Sequence, residues 1–222
     1  MKGGGIISKA GYIFDMDGVL VSSEEYYFSL RMQFLEEMNL PIYYSDINDY
    51  VGVDPKEEWK MMIPDPQQRT KLLPVFESFW EKYPIDYRKC LNDQVPEFLA
   101  DLRKMEKRVA LVSVGTDAEV DQMLTQCQLS SYFDVVLTGE AVTYSKPAPD
   151  IYLQALSALN LKADECVVIE DSQVGIKAAK AAKIETWAVQ APRLQIDQSQ
   201  SDRIFDGISS IRDQFGKVVR NR

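Results

Sequence analysis

From Leu91 onward the 222-residue chain alternates helical and strand periodicity with little between them. Helical patterns run from Val95 to Met105, Ala118 to Cys127, Asp150 to Leu159 and Gln173 to Ala182. Between them lie short runs at Arg108 to Ser113, Asp134 to Leu137, Cys166 to Ile169 and Thr186 to Val189, then a short strand near Arg203 to Phe205 and a last helix. A strand returns parallel to its neighbour only through a crossover, and a helix is the usual crossover. Repeated units of this kind predict an α/β fold with a parallel sheet covered on both faces by helices. Val109-Ala110-Leu111-Val112 and Cys166-Val167-Val168-Ile169 are apolar throughout, as strands buried on both sides should be.

The sheet begins earlier, at Tyr12-Ile13-Phe14, where an apolar run meets Asp15-Met16-Asp17-Gly18. Asp and Gly are depleted inside strands, so the acids mark the strand's C-terminal end, which is the ligand-binding edge of an open parallel sheet. The next block, from about Val21 to Arg88, shows helical spacing and no convincing strand. Ser22-Ser23-Glu24-Glu25 reads as a capping box ahead of Tyr27, Leu30, Phe34 and Met38 on one face. Asn39-Leu40-Pro41 stops that helix, and a second follows around Pro55 to Met62. Asp65-Pro66 offers an N-cap and a first-turn proline for a third, which Pro74 is expected to break or kink before Phe76, Phe79, Trp80 and Tyr83. Residues 1–20 and 89–222 are therefore assigned to the sheet domain and 21–88 to a helical insertion placed to act as a lid.

Composition narrows the partners. Acids outnumber bases by 34 to 25 with no dense basic stretch, which argues against a nucleic-acid partner. Cys90, Cys127 and Cys166 form no C-x-x-C pair, so neither a disulfide framework nor a zinc site is expected. No run approaches membrane-spanning length, and the start of the chain is too poor in apolar residues for a signal peptide, so a cytoplasmic protein is expected. Gly3-Gly4-Gly5 reads as a flexible tail, since no G-K-[ST] follows, and no dinucleotide fingerprint follows any strand.

Four strand ends carry polar residues that suit phosphoryl transfer. A D-x-D-G string arises by chance in about one chain in twenty or thirty of this length, so the first motif alone decides little. Asp15 is the candidate nucleophile, forming an aspartyl-phosphate that splits one hard displacement into two. Asp17 is the candidate acid and base, a role that requires a raised pKa, because an ordinary Asp is protonated in only about one molecule in a thousand at neutral pH. Ser113 ends a strand ahead of Gly115-Thr116-Asp117, where a hydroxyl and open N–H groups can meet an anion. Lys146 precedes Pro147-Ala148-Pro149, which limit the freedom it loses on holding a charge. Glu170-Asp171 repeats the opening design at another strand mouth, with Asp171 or Ser172 also able to cap the next helix. Paired acids at 15 and 17 and at 170 and 171 supply oxygen ligands for Mg2+, while Ser113 and Lys146 meet phosphoryl oxygens.

Taken together, D-M-D-G-V at 15–19, Ser113, K-P-A-P from Lys146 and V-V-I-E-D-S from Val167 resemble the haloacid dehalogenase-like hydrolase superfamily, with its motifs in order from Tyr12 to about Val189. The resemblance implies a Rossmann-like core with an inserted all-α cap, as in the β-phosphoglucomutase-like subgroup. It implies that Asp15 is the phosphorylated nucleophile, that Asp17 is the acid/base, and that Ser113 and Lys146 hold the phosphoryl group. Mg2+ would be bound by Asp15, the main-chain oxygen of Asp17 and Asp171, with Glu170 close by. Where relatives in that subgroup carry a cap histidine this chain has Tyr27, which serves either the cap core or substrate contact, and the chain contains no histidine at all. The arginine that those mutases place after a cap glycine is also missing, since Gly52-Val53-Asp54-Pro55-Lys56 offers only Lys56.

The expected activity is a Mg2+-dependent phosphatase acting on a small phosphorylated metabolite, as a monomer or weak dimer. A sugar phosphomutase is the alternative, and a catalytically idle metabolite-binding protein a third reading.

Overall fold

The computed structural model describes residues 8–50, 53, 55–191 and 193–220; Gly3-Gly4-Gly5, Gly52 and Asp54 lie outside them. In chain order the strands are β1 (Gly11–Asp15), β2 (Arg108–Val112), β3 (Val135–Leu137), β4 (Cys166–Glu170), β5 (Glu185–Val189) and β6 (Arg203–Phe205). The helices are α1 (Glu24–Glu37), α2 (Pro55–Met62), α3 (Pro66–Lys82), α4 (Tyr87–Cys90), α5 (Val95–Lys104), α6 (Asp117–Gln126), α7 (Asp150–Leu159), α8 (Gln173–Ala181) and α9 (Ile208–Arg220). They fall into two compact units, one made of the residues up to Ser22 with those from Tyr87 onward, the other of Ser23–Asp86.

The first unit is an α/β fold built on a parallel sheet in the order β3-β2-β1-β4-β5-β6. Strand numbers rise in both directions from β1, so the topological switch falls at β1 and β4, where open sheets of this kind bind ligands. The register carries that edge into alignment. Asp15 lies opposite Val112, and Phe14 opposite Ile169, so Ser113 and Glu170 each lie at the level where β1 ends.

Period-two alternation divides β1 between two cores. Tyr12 presents its ring edge-on to Phe98 of α5 at 6.1 Å and to Phe215 of α9 at 5.8 Å, an arrangement worth about 0.5–1.5 kcal/mol per pair beyond burial. Ile13 points the other way and packs with Ala110, Val168, Ala155 of α7 and Ala178 of α8.

The second unit holds α1, α2 and α3 around Leu30, Phe34, Met62 and Phe79. Asp65 caps α3 by accepting from the Gln68 N–H at 2.7 Å, with Pro66 in the first turn as expected. Asn39 ends the first helix region in the left-handed conformation at φ 51°. Arg31 pairs with Glu58 at 2.6 Å, its guanidinium 5.7 Å from the centre of the Tyr50 ring.

Two local expectations are corrected, the break at Pro74 and the capping box at Ser22. Helix α3 is continuous from Pro66 to Lys82, so Pro74 does not end it. The proline denies a hydrogen bond to the Thr70 carbonyl, but both residues lie on the exposed side, where losing it costs less than in a buried turn. The capping box at Ser22 does not form either. Val21 bridges antiparallel to Leu91, the Ser22 N–H donates to the Cys90 carbonyl at 2.7 Å, and the Ser22 hydroxyl donates to Asn92 Oδ1 at 2.5 Å. That pairing takes the hydroxyl from the helix, and Ser23 becomes the N-cap without a side-chain cap bond. Among the described residues no helix is long and apolar enough to cross a membrane.

Asp134, just ahead of β3, joins two elements by accepting from the Val109 N–H at 2.8 Å and pairing with Arg103 at 3.0 Å. Burial pushes its carboxyl up, but the Val109 N–H and Arg103 outweigh it and hold the pKa below the usual value. Asp134→Ala is expected to cost about 1 kcal/mol at neutral pH. A depressed folded-state pKa gives stability that is present above the unfolded value and lost as pH falls through the folded one. The gap between variant and wild type should therefore narrow in acid, which urea denaturation at about pH 7 and about pH 3 would measure.

Candidate active site

Lys146, in the loop between β3 and α7, sends its ammonium into the sheet edge. It donates to Asp15 Oδ1 at 2.5 Å and to Glu170 Oε1 at 2.7 Å, with its side chain only 3% exposed. The Lys146–Pro147 peptide is cis. Carboxylate oxygens of Asp15, Glu170 and Asp171 all lie within 4.8 Å of one another, and all three residues are buried. With all three carboxylates ionised against one ammonium, two negative charges are in excess.

Glu170 is held on every side. Its Oε1 also accepts from the Tyr152 hydroxyl at 3.0 Å, and its Oε2 accepts from the N–H groups of Asp171 and Ser172, both at 2.9 Å, and from the Ser172 hydroxyl at 3.0 Å. Both oxygens are thus engaged by protein donors. The Ser172 hydroxyl accepts from the Gly175 N–H at 3.0 Å, so it caps α8 while steadying Glu170. Gly175 is required here, because a Cβ at that position would overlap the Glu170 carboxylate. Gly18, at φ +77°, has the same relation to the Asp171 carboxylate and is also in a conformation that favours glycine.

The electrostatics follow from burial and from the uneven charge count. Burial comes first in pushing the Asp15 carboxyl up to about 8; Lys146 opposes it, while the charges of Glu170 and Asp17 add to it. Burial works against the charged Lys146, but Asp15, Glu170 and Tyr152 around it prevail and hold its pKa well above the ordinary lysine value. Burial and Glu170 together raise the Tyr152 phenol, so it remains a neutral donor.

The structure thus brings together Asp15 at the end of β1, Glu170 and Asp171 at the end of β4, and Lys146 from the loop before α7. Ser113 is buried at the adjoining strand end, with its Oγ accepting from the Gly115 N–H at 3.0 Å. Asp17 sits two residues beyond Asp15, half-buried, where it bridges to Val21. Tyr27 lies in the helical unit, stacked on Trp80 with ring centres 5.6 Å apart and planes at 11°.

Three residues escape the sequence reasoning. Tyr152 falls on the buried stripe of α7, and the signal for it is that a buried Tyr hydroxyl needs a partner. Asn92 donates to the Val19 carbonyl at 2.9 Å and the Gly18 carbonyl at 3.4 Å, holding the turn that carries Asp17. Gln198 donates to the Asp171 carbonyl from a long loop. Neither of these last two stands out from its polar neighbours in sequence.

A family model described as haloacid dehalogenase-like hydrolase matches residues 12–189. The chain is 31% identical over 179 residues to a phosphorylated carbohydrates phosphatase of Thermotoga maritima, covering 78% of this chain and 81% of that protein. It is 25% identical over 180 residues to β-phosphoglucomutase of Bacillus subtilis, covering 77% of this chain and 78% of that one. A solved structure of a subfamily IA hydrolase of the same superfamily from Geobacter sulfurreducens shares the fold, with a TM-score of 0.72, 24% identity, and coverage of 96% of this chain and 98% of that one.

Tyr152→Phe keeps the ring 5.2 Å from the Lys146 ammonium and removes only the hydroxyl, at an expected cost of about 1 kcal/mol in urea denaturation. Gly175→Ala forces the Glu170 carboxylate to move and should cost more, up to about 3 kcal/mol by the same measurement.

Proposed function

The chain belongs to the haloacid dehalogenase-like hydrolase family, and from that premise we propose that this enzyme is a Mg2+-dependent phosphatase acting on a small phosphorylated metabolite through an aspartyl-phosphate. The observation that carries the reading is the buried cluster of Asp15, Asp171 and Lys146 at the switch point of the sheet. The phosphorylated-carbohydrate phosphatase among its relatives supports a sugar phosphate as substrate.

The donor set suits a hard divalent ion: three carboxylates within 4.8 Å and an excess of two negative charges. Asp15, Asp171 and the main-chain oxygen of Asp17 would hold it, whereas Glu170, with both oxygens engaged, would serve to fix Lys146. Bound there, Mg2+ supplies positive charge that lets an anionic phosphoryl group approach carboxylates.

Asp15 attacks phosphorus in line, and the P–O bond to the leaving group breaks as Asp17 gives that oxygen a proton. Lys146 and Ser113 meet the equatorial oxygens, where their charge and hydroxyl stabilise the transition state. Asp17, now ionised, takes a proton from the water that cleaves the aspartyl-phosphate and releases inorganic phosphate. A phosphomutase would use the same first half and pass the phosphoryl group to a sugar hydroxyl. Tyr27, stacked within the helical unit where those mutases carry a histidine, favours hydrolysis.

A phosphate-release screen over sugar phosphates, nucleotides and phosphoglycolate with Mg2+ tests the proposal. Turnover should need no bisphosphate activator and should stop with EDTA. Asp15→Asn should lose on the order of 10^4-fold in kcat, and Lys146→Ala about 10^2–10^3-fold. Equal release by wild type and Asp15→Asn would overturn the mechanism, and isomerised sugar phosphate without net release would establish the mutase.

A further inference from the structure

Beyond Glu170, the ladder between β4 and β5 stops at the pair Glu170 and Ala188. The next residues, Asp171 and Val189, lie just past that ladder, with Val189 still paired to Phe205 of β6. A single side chain serves the carbonyls of both. Gln198 Nε2 donates to the Asp171 carbonyl at 2.6 Å and to the Val189 carbonyl at 2.8 Å, from a residue only 6% exposed. Two acceptors facing one buried point need a group with two hydrogens, and a primary amide provides them without adding charge.

The loop that carries Gln198 is itself fastened. The Ser201 N–H and hydroxyl both donate to the Gln198 carbonyl, at 3.0 and 2.8 Å. Next to it, Asp197 accepts from the side-chain amide of Gln173 in the first turn of α8, at 3.1 Å. Asp171 is thereby fixed on two sides, with its N–H donating to Glu170 and its carbonyl held by Gln198.

We infer that Gln198 is a positioning residue that sets the Asp171 carboxylate for divalent-metal binding, acting through the Asp171 main chain. The inference rests on the reading of Asp171 as a metal ligand. Groups that orient metal ligands typically contribute 10- to 100-fold in metal affinity.

The test titrates Mn2+ alone into the full chain, followed by calorimetry and by loss of the free Mn2+ EPR signal, so it does not depend on turnover. Gln198→Met preserves volume and removes both donors. A cavity of about 400 Å³ bordered by Gln198, Leu194 and Ile196 leaves room to seat it. Its Mn2+ affinity should fall about 10- to 100-fold. Ile184→Ala, buried ahead of β5 at the opposite sheet edge, serves as a destabilised control and should stay within about twofold of wild type. The inference is overturned if Gln198→Met also binds within about twofold of wild type, or if Ile184→Ala weakens binding as much. Should Gln198→Met not fold, the same titration on Gln198→Asn decides, since the shorter amide cannot span both carbonyls: weaker binding supports the inference and unchanged binding overturns it. Failure of wild type to bind Mn2+ would instead overturn the metal reading itself, and this inference with it.

Discussion

A lysine ammonium buried among carboxylates organises the sheet unit. Lys146 contacts Asp15 and Glu170 at a site almost closed to solvent, where removing a charge from water costs several kcal/mol and only close pairing offsets it. That demand accounts for much of what surrounds the lysine. The Tyr152 hydroxyl, two main-chain N–H groups and the Ser172 hydroxyl all turn toward Glu170 because an unsatisfied buried carboxylate would be costlier than any of them. Gly18 and Gly175 have no side chain because the carboxylates of Asp171 and Glu170 occupy that space.

Strand register explains why distant residues meet. With Asp15 opposite Val112 and Phe14 opposite Ile169, the C-terminal ends of β1, β2 and β4 come level, and the polar residues that follow each strand face one edge. The order β3-β2-β1-β4-β5-β6 sends the loops after β1 and β4 apart from the switch point, which leaves room between them. Parallel topology thus does the gathering, and each loop need only end its strand with the right residue.

The features legible in sequence were those where residue type and local pattern disagree. Acids and glycine closing an apolar run, as at Asp15 and Glu170, are out of place in a strand and so announce its end. Helix α7 and strand β6 match their expected spans because periodicity and flanking signals agree. Gln198 and Asn92 were not legible, because each is a polar residue among polar residues whose partners lie far along the chain. Ser22 misled for the opposite reason. Its local spacing favoured a helix cap, but the bridge of Val21 to Leu91 and the Asn92 side chain competed for it and won. Pro74 shows the same limit, since a solvent-facing proline costs a helix less than its sequence position implies.

The protonation of Asp15 ties the charge count to the proposed chemistry. With the protein's own groups alone, burial and the neighbouring carboxylates push its carboxyl up to about 8, even with an ammonium in contact. A carboxyl in that state is a poor nucleophile at neutral pH, because its attack needs the ionised form. Lys146 is already shared with Glu170, so it cannot neutralise both. Additional positive charge at the cluster would bring Asp15 back into the ionised range and cancel the excess of two negative charges at once. On the proposed reading, the same surplus would favour a dication over a monovalent ion and would couple occupation of the site to ionisation of Asp15.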